Sequence, residues 1–190
     1  MLKIGILNLQ GAVSEHYNIT VKTIKKLNFD CEAVVVRYKE DLENCSGLII
    51  SGGESTVIGK LIVERGIDKV IHDKNIPIFG TCAGLVLMAN DVDYNQAILK
   101  IIDMKVLRNA FGSQKNSFEE EIEILGSNFQ GVFIRAPSIL KVGKDVEVLS
   151  KIDDVIVGAK YGKNIALSFH PELTDDTRLH EYFIKNLFEE

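Results

Sequence analysis

The chain has 190 residues, of which 46% are hydrophobic and 26% charged, and its formal net charge is −5. This length is enough for one sizeable α/β domain, in which roughly 70% of the unfolded chain's surface can be buried without a disulfide or a metal. The acidic balance argues against a nucleic-acid binder, which would need a basic surface. The longest apolar runs, such as Gly47–Ile50, are far too short to cross a bilayer.

Strands alternate with helices through the first half of the sequence. The apolar start, Leu2–Leu7, is typical of a strand and lacks the features of a signal peptide. Further strands are predicted at Cys31–Val36, Leu48–Ile50 and Ile76–Gly80, and helices at Ala12–Leu27, Thr56–Val63 and Ala83–Asn90. Near-continuous apolar strands separated by helices indicate a mostly parallel central sheet, with helices on both faces. Ser55 or Thr56 is expected to cap the second helix.

The second half of the sequence is richer in strands. We predict them at Ile101–Val106, Phe118–Ile124, Gly131–Ile134, Val146–Leu149, Val155–Lys160 and Ile165–Phe169, before a closing helix at Asp176–Phe188. Such close spacing predicts an antiparallel extension of the sheet. Without a repeat or a Pro/Gly-rich linker, residues 1–190 are predicted to form a single α/β domain.

The cysteines point to the chemistry. There are three, an odd number, which favours reduced thiols in a cytoplasmic protein over a disulfide framework. Cys82 lies in Gly80-Thr-Cys-Ala-Gly84, between a predicted buried strand and a predicted helix. This is the cysteine form of a nucleophile elbow, in which glycines permit the tight turn and the helix N-terminus favours the thiolate. The alternative is a small buried hydrophobe, which is the interpretation we prefer for Cys31.

A nucleophilic thiol needs a base, and His170 is the candidate. It ends an apolar strand and precedes Pro171, which favours an extended conformation that would make Glu172 its neighbour. The carboxylate would then fix the imidazole tautomer and leave the other nitrogen for the thiol. Taken alone, the pair is more typical of a hydrogen-bonded structural histidine beside a surface glutamate. His72 and His180 lie in polar helical stretches, and we expect surface positions for both.

Attack on an amide also needs donors for the developing oxyanion. The backbone N–H of Ala83, directly after the nucleophile, is one candidate. A second glycine-rich loop, Ser51–Thr56, follows another predicted strand, and the N–H of Gly53 is the second candidate. The alternative, a phosphate-binding loop, is disfavoured because the loop lacks the Gly-Lys-Ser/Thr ending of a nucleotide P-loop.

These residues together resemble the class I, triad-type glutamine amidotransferases, which have a flavodoxin-like α/β fold. Further segments resemble one branch, the glutaminase subunits of pyridoxal 5′-phosphate synthase. The resemblance runs from about Ile4 to Phe183. The segments that carry it are Leu9–His16, Gly52–Thr56, Arg108–Gly112, Ser117–Glu119, Phe133–Pro137 and Phe169–Thr174.

The resemblance implies hydrolysis of L-glutamine through a thioester, with ammonia passed to a separate synthase subunit. That partner would combine ammonia with a pentose 5-phosphate and glyceraldehyde 3-phosphate to make pyridoxal 5′-phosphate. Pyridoxal 5′-phosphate is thus a product of the complex, and no cofactor or metal is expected in this chain. Cys82, His170 and Glu172 would form the triad. The implied glutamine contacts are Gly53, Glu54, Ser55, Arg108, Ile134 and Arg135.

Two further roles follow from the resemblance and from the substrate. The Gln10–His16 segment would face the synthase subunit, and Gln10 would help to complete the oxyanion hole when that partner docks. Free glutamine carries an α-carboxylate and an α-ammonium group, and Arg108 and Glu54 are the candidates for binding them. The alternative is that both residues form surface ion pairs that contribute little to stability.

The sequence departs from the family pattern at two positions. Ser51 stands where the family usually has proline, and Ser113 where it usually has arginine, a change that could alter the partner interface. Two rival functions remain open: a glutaminase that serves another synthase, such as imidazole glycerol phosphate synthase, and a catalytically silent binding module.

Overall fold

The computed structural model describes residues 1–111 and 116–189. Within them, the strands are β1 Leu2–Leu7, β2 Cys31–Val36, β3 Gly47–Ile50, β4 Ile78–Thr81, β5 Ala89–Val92, β6 Ile102–Leu107, β7 Ser117–Ile124, β8 Ser127–Ile134, β9 Ser138–Val142, β10 Glu147–Ile152, β11 Val155–Tyr161 and β12 Asn164–Leu167. The α-helices are α1 Val13–Leu27, α2 Lys39–Leu42, α3 Ser55–Glu64, α4 Ile67–Asp73, α5 Ala83–Met88 and α6 Arg178–Phe188. Ser113 lies outside the described residues.

The main sheet has ten strands, with β2-β1-β3-β4-β12-β11-β9-β6-β5 in order and β10 paired to β11. The first five strands in this order run parallel. From β12 onward the pairs β12–β11, β11–β9 and β9–β6 are antiparallel. The predicted parallel sheet with an antiparallel extension is therefore confirmed. The hairpin of β7 and β8 differs from this prediction, because it forms a two-stranded sheet of its own.

Apolar side chains of the parallel strands point alternately to the two faces of the sheet and pack into two hydrophobic cores. In β3, Leu48 and Ile50 enter one core while Ile49 enters the other. The first core is closed by α2 to α5, and the second by α1, α6 and the β7–β8 hairpin. Helices therefore cover both faces of the sheet, as near-continuous apolar strands predict.

Three neighbouring parallel strands end at the same edge of the sheet. β3 ends at Ile50, β4 at Thr81 and β12 at Leu167, and each is followed by a turn that carries candidate site residues. The N–H of Cys82 donates to the carbonyl of Leu167 at 2.8 Å, which ties the turn after β4 to the end of β12. In open parallel sheets, ligands bind beyond the carboxyl ends of the strands, so this edge positions the site.

Some local predictions were wrong. Glu54, rather than Ser55 or Thr56, is the N-cap of α3 and makes no side-chain capping bond. α2 and α4, as well as β5 and β9, were not predicted. Among the described residues, no helix combines the length and apolar character that spanning a membrane requires.

Candidate active site

Cys82 occupies the turn between β4 and α5 in a conformation that side chains rarely adopt. Its φ is 53° and its ψ is −104°, which is the strained geometry expected of a nucleophile elbow. The flanking glycines are needed for close approach: a Cβ on Gly84 would lie 2.2 Å from the carbonyl oxygen of Ile50, and one on Gly80 would lie 2.5 Å from Met88 Sδ. The predicted elbow is present. α5 has only six residues, so only the N–H groups of its first turn can favour the thiolate.

His170 and Glu172 form a buried pair behind the cysteine. The Nδ1–H of His170 donates to Glu172 Oε1 at 2.6 Å, and both residues are 6% exposed. The reason predicted for this contact was wrong, because Pro171–Leu173 form a 3₁₀ turn rather than extended chain. Since a carboxylate can only accept, Glu172 fixes the proton on Nδ1 and leaves Nε2 as the free base.

The imidazole of His170 and the side chain of Cys82 lie next to each other, beside Gly52. A Cβ on Gly52 would lie 2.5 Å from His170 Cε1 and 3.4 Å from Cys82 Cβ, so both side chains lie against the same face of Gly52. His170 Nε2 is buried without a hydrogen-bond partner among the described residues. Burial lowers the pKa of His170, but interaction with Cys82 and with Glu172 outweighs burial and raises the pKa to about 10. The charged imidazolium form of His170 is thereby favoured beside Cys82.

The glycine-rich loop after β3 packs against the segment before α1. The N–H of Ala12 donates to the carbonyl of Gly52 at 3.2 Å, and the N–H of Glu54 donates to Gln10 Oε1 at 2.8 Å. Gly53 has φ +150°, and a Cβ there would lie 2.4 Å from that same Gln10 oxygen. Because a trans peptide holds its N–H opposite its C=O, the Gly53 N–H points away from Ala12. Gln10 is thus in direct contact with the candidate oxyanion loop.

A cavity of about 560 Å³ opens in front of Cys82. It is lined by Gln10, Gly11, Ala12, Gly52, Gly53, Glu54, Ser55, Cys82, Ala83, Val86, Arg108, Asn109, Ile134, Arg135, Pro137 and His170. All the predicted site residues line it except Glu172, which lies behind His170. The carbonyl of Ile134 is 3.8 Å from Cys82 Sγ, and Arg135 follows it with a left-handed φ of 43°.

Charged groups of both signs reach the cavity. Arg108, directly after β6, has its guanidinium 3.9 Å above the ring of Tyr94 and its Nε 3.9 Å from Asp93 Oδ1. Glu54 is exposed at the start of α3. Ser55 is buried and its hydroxyl donates to Gln96 Oε1 at 3.1 Å. The side chain of Ser55 is therefore engaged inside the protein.

Four residues that contact Arg108 or line the cavity were not predicted from the sequence. Asp93 and Tyr94, which hold Arg108, follow a strand that was not predicted. Asn109 and Pro137 line the cavity, and both lie inside segments that carry the family resemblance, which could have identified them.

His180 and His16 lie elsewhere than predicted. His180, expected on the surface, is 0% exposed, because α6 turns Leu179, His180 and Phe183 toward the second core. His16, in the segment implied to face a partner, is also 0% exposed. Its Nδ1 lies 3.0 Å from His180 Nε2, and its Nε2 lies 2.9 Å from Thr81 Oγ1. Only part of the Gln10–His16 segment can therefore contact another protein.

Known proteins resemble this chain over nearly its whole length. The model of the SNO glutamine amidotransferase family matches residues 6–189. A protein of Methanobrevibacter smithii named pyridoxal 5′-phosphate synthase subunit PdxT is 60% identical over 190 residues, which cover 98% of this chain and 97% of that one. A protein of the same name from Methanothermobacter thermautotrophicus is 57% identical over 187 residues, covering 98% and 97%.

Solved structures share the fold. A crystal structure of a glutamine amidotransferase superposes with a TM-score of 0.89 at 44% identity, covering 98% of this chain and 99% of that one. The glutaminase domain of Trypanosoma brucei CTPS with bound acivicin superposes with a TM-score of 0.68 at 13% identity, covering 99% and 94%.

Proposed function

The chain belongs to the SNO glutamine amidotransferase family, and we propose that it is the glutaminase subunit of a pyridoxal 5′-phosphate synthase. One observation carries the catalytic part of the proposal: Cys82 stands in a strained elbow at the floor of a cavity, beside a His170 that Glu172 fixes as a base. The relatives that are 60% and 57% identical support the choice of synthase.

The reaction begins with the thiolate of Cys82. Its sulfur attacks the side-chain carbonyl carbon of glutamine, and the thiol proton rests on His170 Nε2. When the tetrahedral intermediate collapses, the C–N bond breaks, and His170 returns that proton to the leaving nitrogen, so that ammonia departs. Water, deprotonated by His170, then hydrolyses the thioester to glutamate and the free thiol.

Two backbone donors stabilise the oxyanion in this proposal. The N–H of Ala83 directly follows the nucleophile, and the N–H of Gly53 points away from the segment that holds its loop. Removing one such donor typically costs about 3 kcal/mol of barrier. Gln10 contacts the Gly53 loop through its side chain, so a partner that docks on Gln10 would complete the hole.

Glutamine recognition uses the charges at the cavity walls. Arg108 binds the α-carboxylate, because stacking on Tyr94 holds its guanidinium in place. Glu54 binds the α-ammonium group. Ser55 is the first residue of α3 and offers its backbone N–H, since its hydroxyl is engaged by Gln96. Ile134 and Arg135 contribute backbone groups beside the thiol.

The setting of the reaction follows from the same proposal. Residues 1–190 act as one glutaminase domain in the cytoplasm, where Cys31 and Cys45 stay reduced. Both are buried, and burial raises the pKa of Cys45 to about 11, which keeps that thiol protonated. Nucleophilic cysteine chemistry of this kind needs neither a cofactor nor a metal, and that expectation stays a prediction.

The test compares nitrogen sources and partners. The purified chain is mixed with a pyridoxal 5′-phosphate synthase subunit or with the synthase subunit of imidazole glycerol phosphate synthase, and product is measured with glutamine or with ammonia. Glutamine should support only the pyridoxal phosphate reaction. Cys82→Ala should abolish the glutamine-driven reaction and leave the ammonia-driven one intact. Glutamine-driven activity with the other synthase alone would refute the choice of partner.

A further inference from the structure

A buried pair of histidines lies behind the triad, and the proposed mechanism does not use it. His16 on α1 and His180 on α6 are both 0% exposed. His16 Nε2 lies 3.3 Å from Glu172 Oε2, the carboxylate oxygen that does not bind His170. That oxygen has no hydrogen-bond partner among the described residues, so its contact with His16 is close without being a hydrogen bond. His16 is therefore the polar group placed to engage the free side of Glu172.

Both histidines are neutral. Burial lowers the pKa of His16 well below its ordinary value, and the nearby His180 and His170 lower it further. Burial alone lowers the pKa of His180 to about 3. A neutral imidazole has one N–H donor and one acceptor nitrogen. Each imidazole therefore carries its single N–H proton on either Nδ1 or Nε2.

The neighbouring donors and acceptors decide which nitrogen of His16 and of His180 carries the proton. If His180 Nε2–H donates to His16 Nδ1, the proton of His16 is on Nε2, where it faces two acceptors, Thr81 Oγ1 and Glu172 Oε2. The buried His180 Nδ1, which has no partner among the described residues, is then a bare lone pair. The opposite arrangement would bury an orphaned N–H on His180 and aim a lone pair of His16 at a carboxylate. Orphaned buried N–H groups are rarer than orphaned acceptors, so the first arrangement is favoured.

We propose that His16 is a positioning residue, whose Nε2–H bonds Thr81 and attracts the free oxygen of Glu172, and so holds the carboxylate against His170. His180 fixes the tautomer that makes this possible. The inference rests on the proposed function only in taking glutamine hydrolysis as the reaction. A purely structural pair of histidines would instead affect the free energy of unfolding and leave the chemistry of Cys82 unchanged.

Two substitutions at one position separate the roles. In His16→Gln the side-chain amide can reach the place of Nε2 and donate to Glu172, whereas in His16→Asn the amide reaches only the place of Nδ1. Thr23→Val is the matched control, because Thr23 is also buried on α1 and its hydroxyl donates only to the backbone carbonyl of Ile19. The glutaminase kcat of each variant is measured in the complex with the synthase subunit.

We expect His16→Asn to lower kcat by about ten- to a hundredfold, the value of a hydrogen bond to a charged group. His16→Gln should stay within a few-fold of the wild type, Thr23→Val should match it, and KM should not change, because His16 does not line the cavity. Equal kcat values for the Asn and Gln variants, whether both low or both normal, would overturn the proposal.

A second readout needs neither glutamine nor a partner. Iodoacetamide alkylates thiolates, and its rate at Cys82 near neutral pH reports how strongly His170 activates this thiol in the isolated chain, with Cys82→Ala as the blank. His16→Asn should react about tenfold more slowly than His16→Gln. Equal rates would overturn the positioning role, while an inactive wild-type complex with this rate difference intact would refute only the proposed function.

A third readout keeps His16 in place, should its variants not fold. The ¹⁵N chemical shifts of the two imidazole nitrogens of His16 in the wild-type chain report which nitrogen carries the proton. A proton on Nε2 is expected, and a proton on Nδ1 would overturn the proposal.

Discussion

Replacing Glu172 by glutamine exchanges one carboxylate oxygen for an NH₂ group and removes the charge behind His170. The side chain keeps its size, so the packing of this buried position should survive. The amide can present its NH₂ group to Nδ1, and the proton of the imidazole would then move to Nε2. In that tautomer His170 turns an N–H toward Cys82 and can no longer accept the thiol proton.

The size of the effect follows from the contact. The two side chains meet at 2.6 Å, and their side-chain atoms alone are 8% exposed for His170 and 0% for Glu172. A hydrogen bond to a charged group contributes about 1.5–3 kcal/mol, which corresponds to about ten- to a hundredfold in rate. The wrong tautomer adds to this loss, and in serine triads the matching change lowers kcat by about 10⁴-fold. We therefore expect Glu172→Gln to lower kcat by between about 10² and 10⁴-fold.

The assay is steady-state glutaminase activity in the complex with the synthase subunit. KM for glutamine should change little, because Glu172 does not line the cavity. Glu181→Gln is the control: the side chain of this α6 glutamate is also only 14% exposed, but it pairs with Lys26 of α1 rather than with His170. A folded Glu172→Gln protein with kcat within threefold of wild type would refute the role given to this residue.

Three further predictions concern the elbow, the substrate and the pH. Gly84→Ala should destabilise the protein by about 1–3 kcal/mol, measured by urea unfolding, because its Cβ would lie 2.2 Å from the Ile50 carbonyl oxygen; an unchanged midpoint would contradict this. Arg108→Ala should raise KM for glutamine by about ten- to a hundredfold and change kcat less; an unchanged KM would exclude Arg108 from carboxylate binding. The raised pKa of His170, about 10 against 6.5, contributes stability that is complete below 6.5 and lost as the pH rises through 10. The free energy of unfolding should therefore fall across that range, and Cys82→Ala should flatten the fall; equal slopes in both proteins would refute the coupling.

The parallel half of the sheet could be predicted because its strands are short apolar runs between helices. The second half was harder, since pairing there depends on contacts distant in sequence. β5, Ala89–Val92, carries polar Asn90 and Asp91, and its first two residues fall within the predicted helix Ala83–Asn90. The hairpin of β7 and β8 was expected to extend the main sheet, but its local pairing gives no signal that it forms a sheet of its own.

At the site, local motifs were the reliable signal. Cys82 was identified because the glycines around it are needed for the turn, and the structure shows the close contacts that exclude a Cβ. His170 and Glu172 were paired correctly for a wrong reason. His180 was misplaced because its flanking residues are polar, although Leu179, Phe183 and Ile184 stand at helical spacing around it and mark a buried face. No local pattern could have placed His180 beside His16, which lies 164 residues earlier.

The most direct test of the account is where glutamine chemistry attaches to the chain. An electrophilic glutamine analogue is added to the complex, and the modified residue is located by peptide mass spectrometry while glutaminase activity is followed in parallel. We predict one equivalent on Cys82, protection by glutamine, loss of activity in step with labelling, and no modification of the buried Cys31 and Cys45. Labelling at another residue, or glutamine hydrolysis by the Cys82→Ala complex at the wild-type rate, would contradict the account.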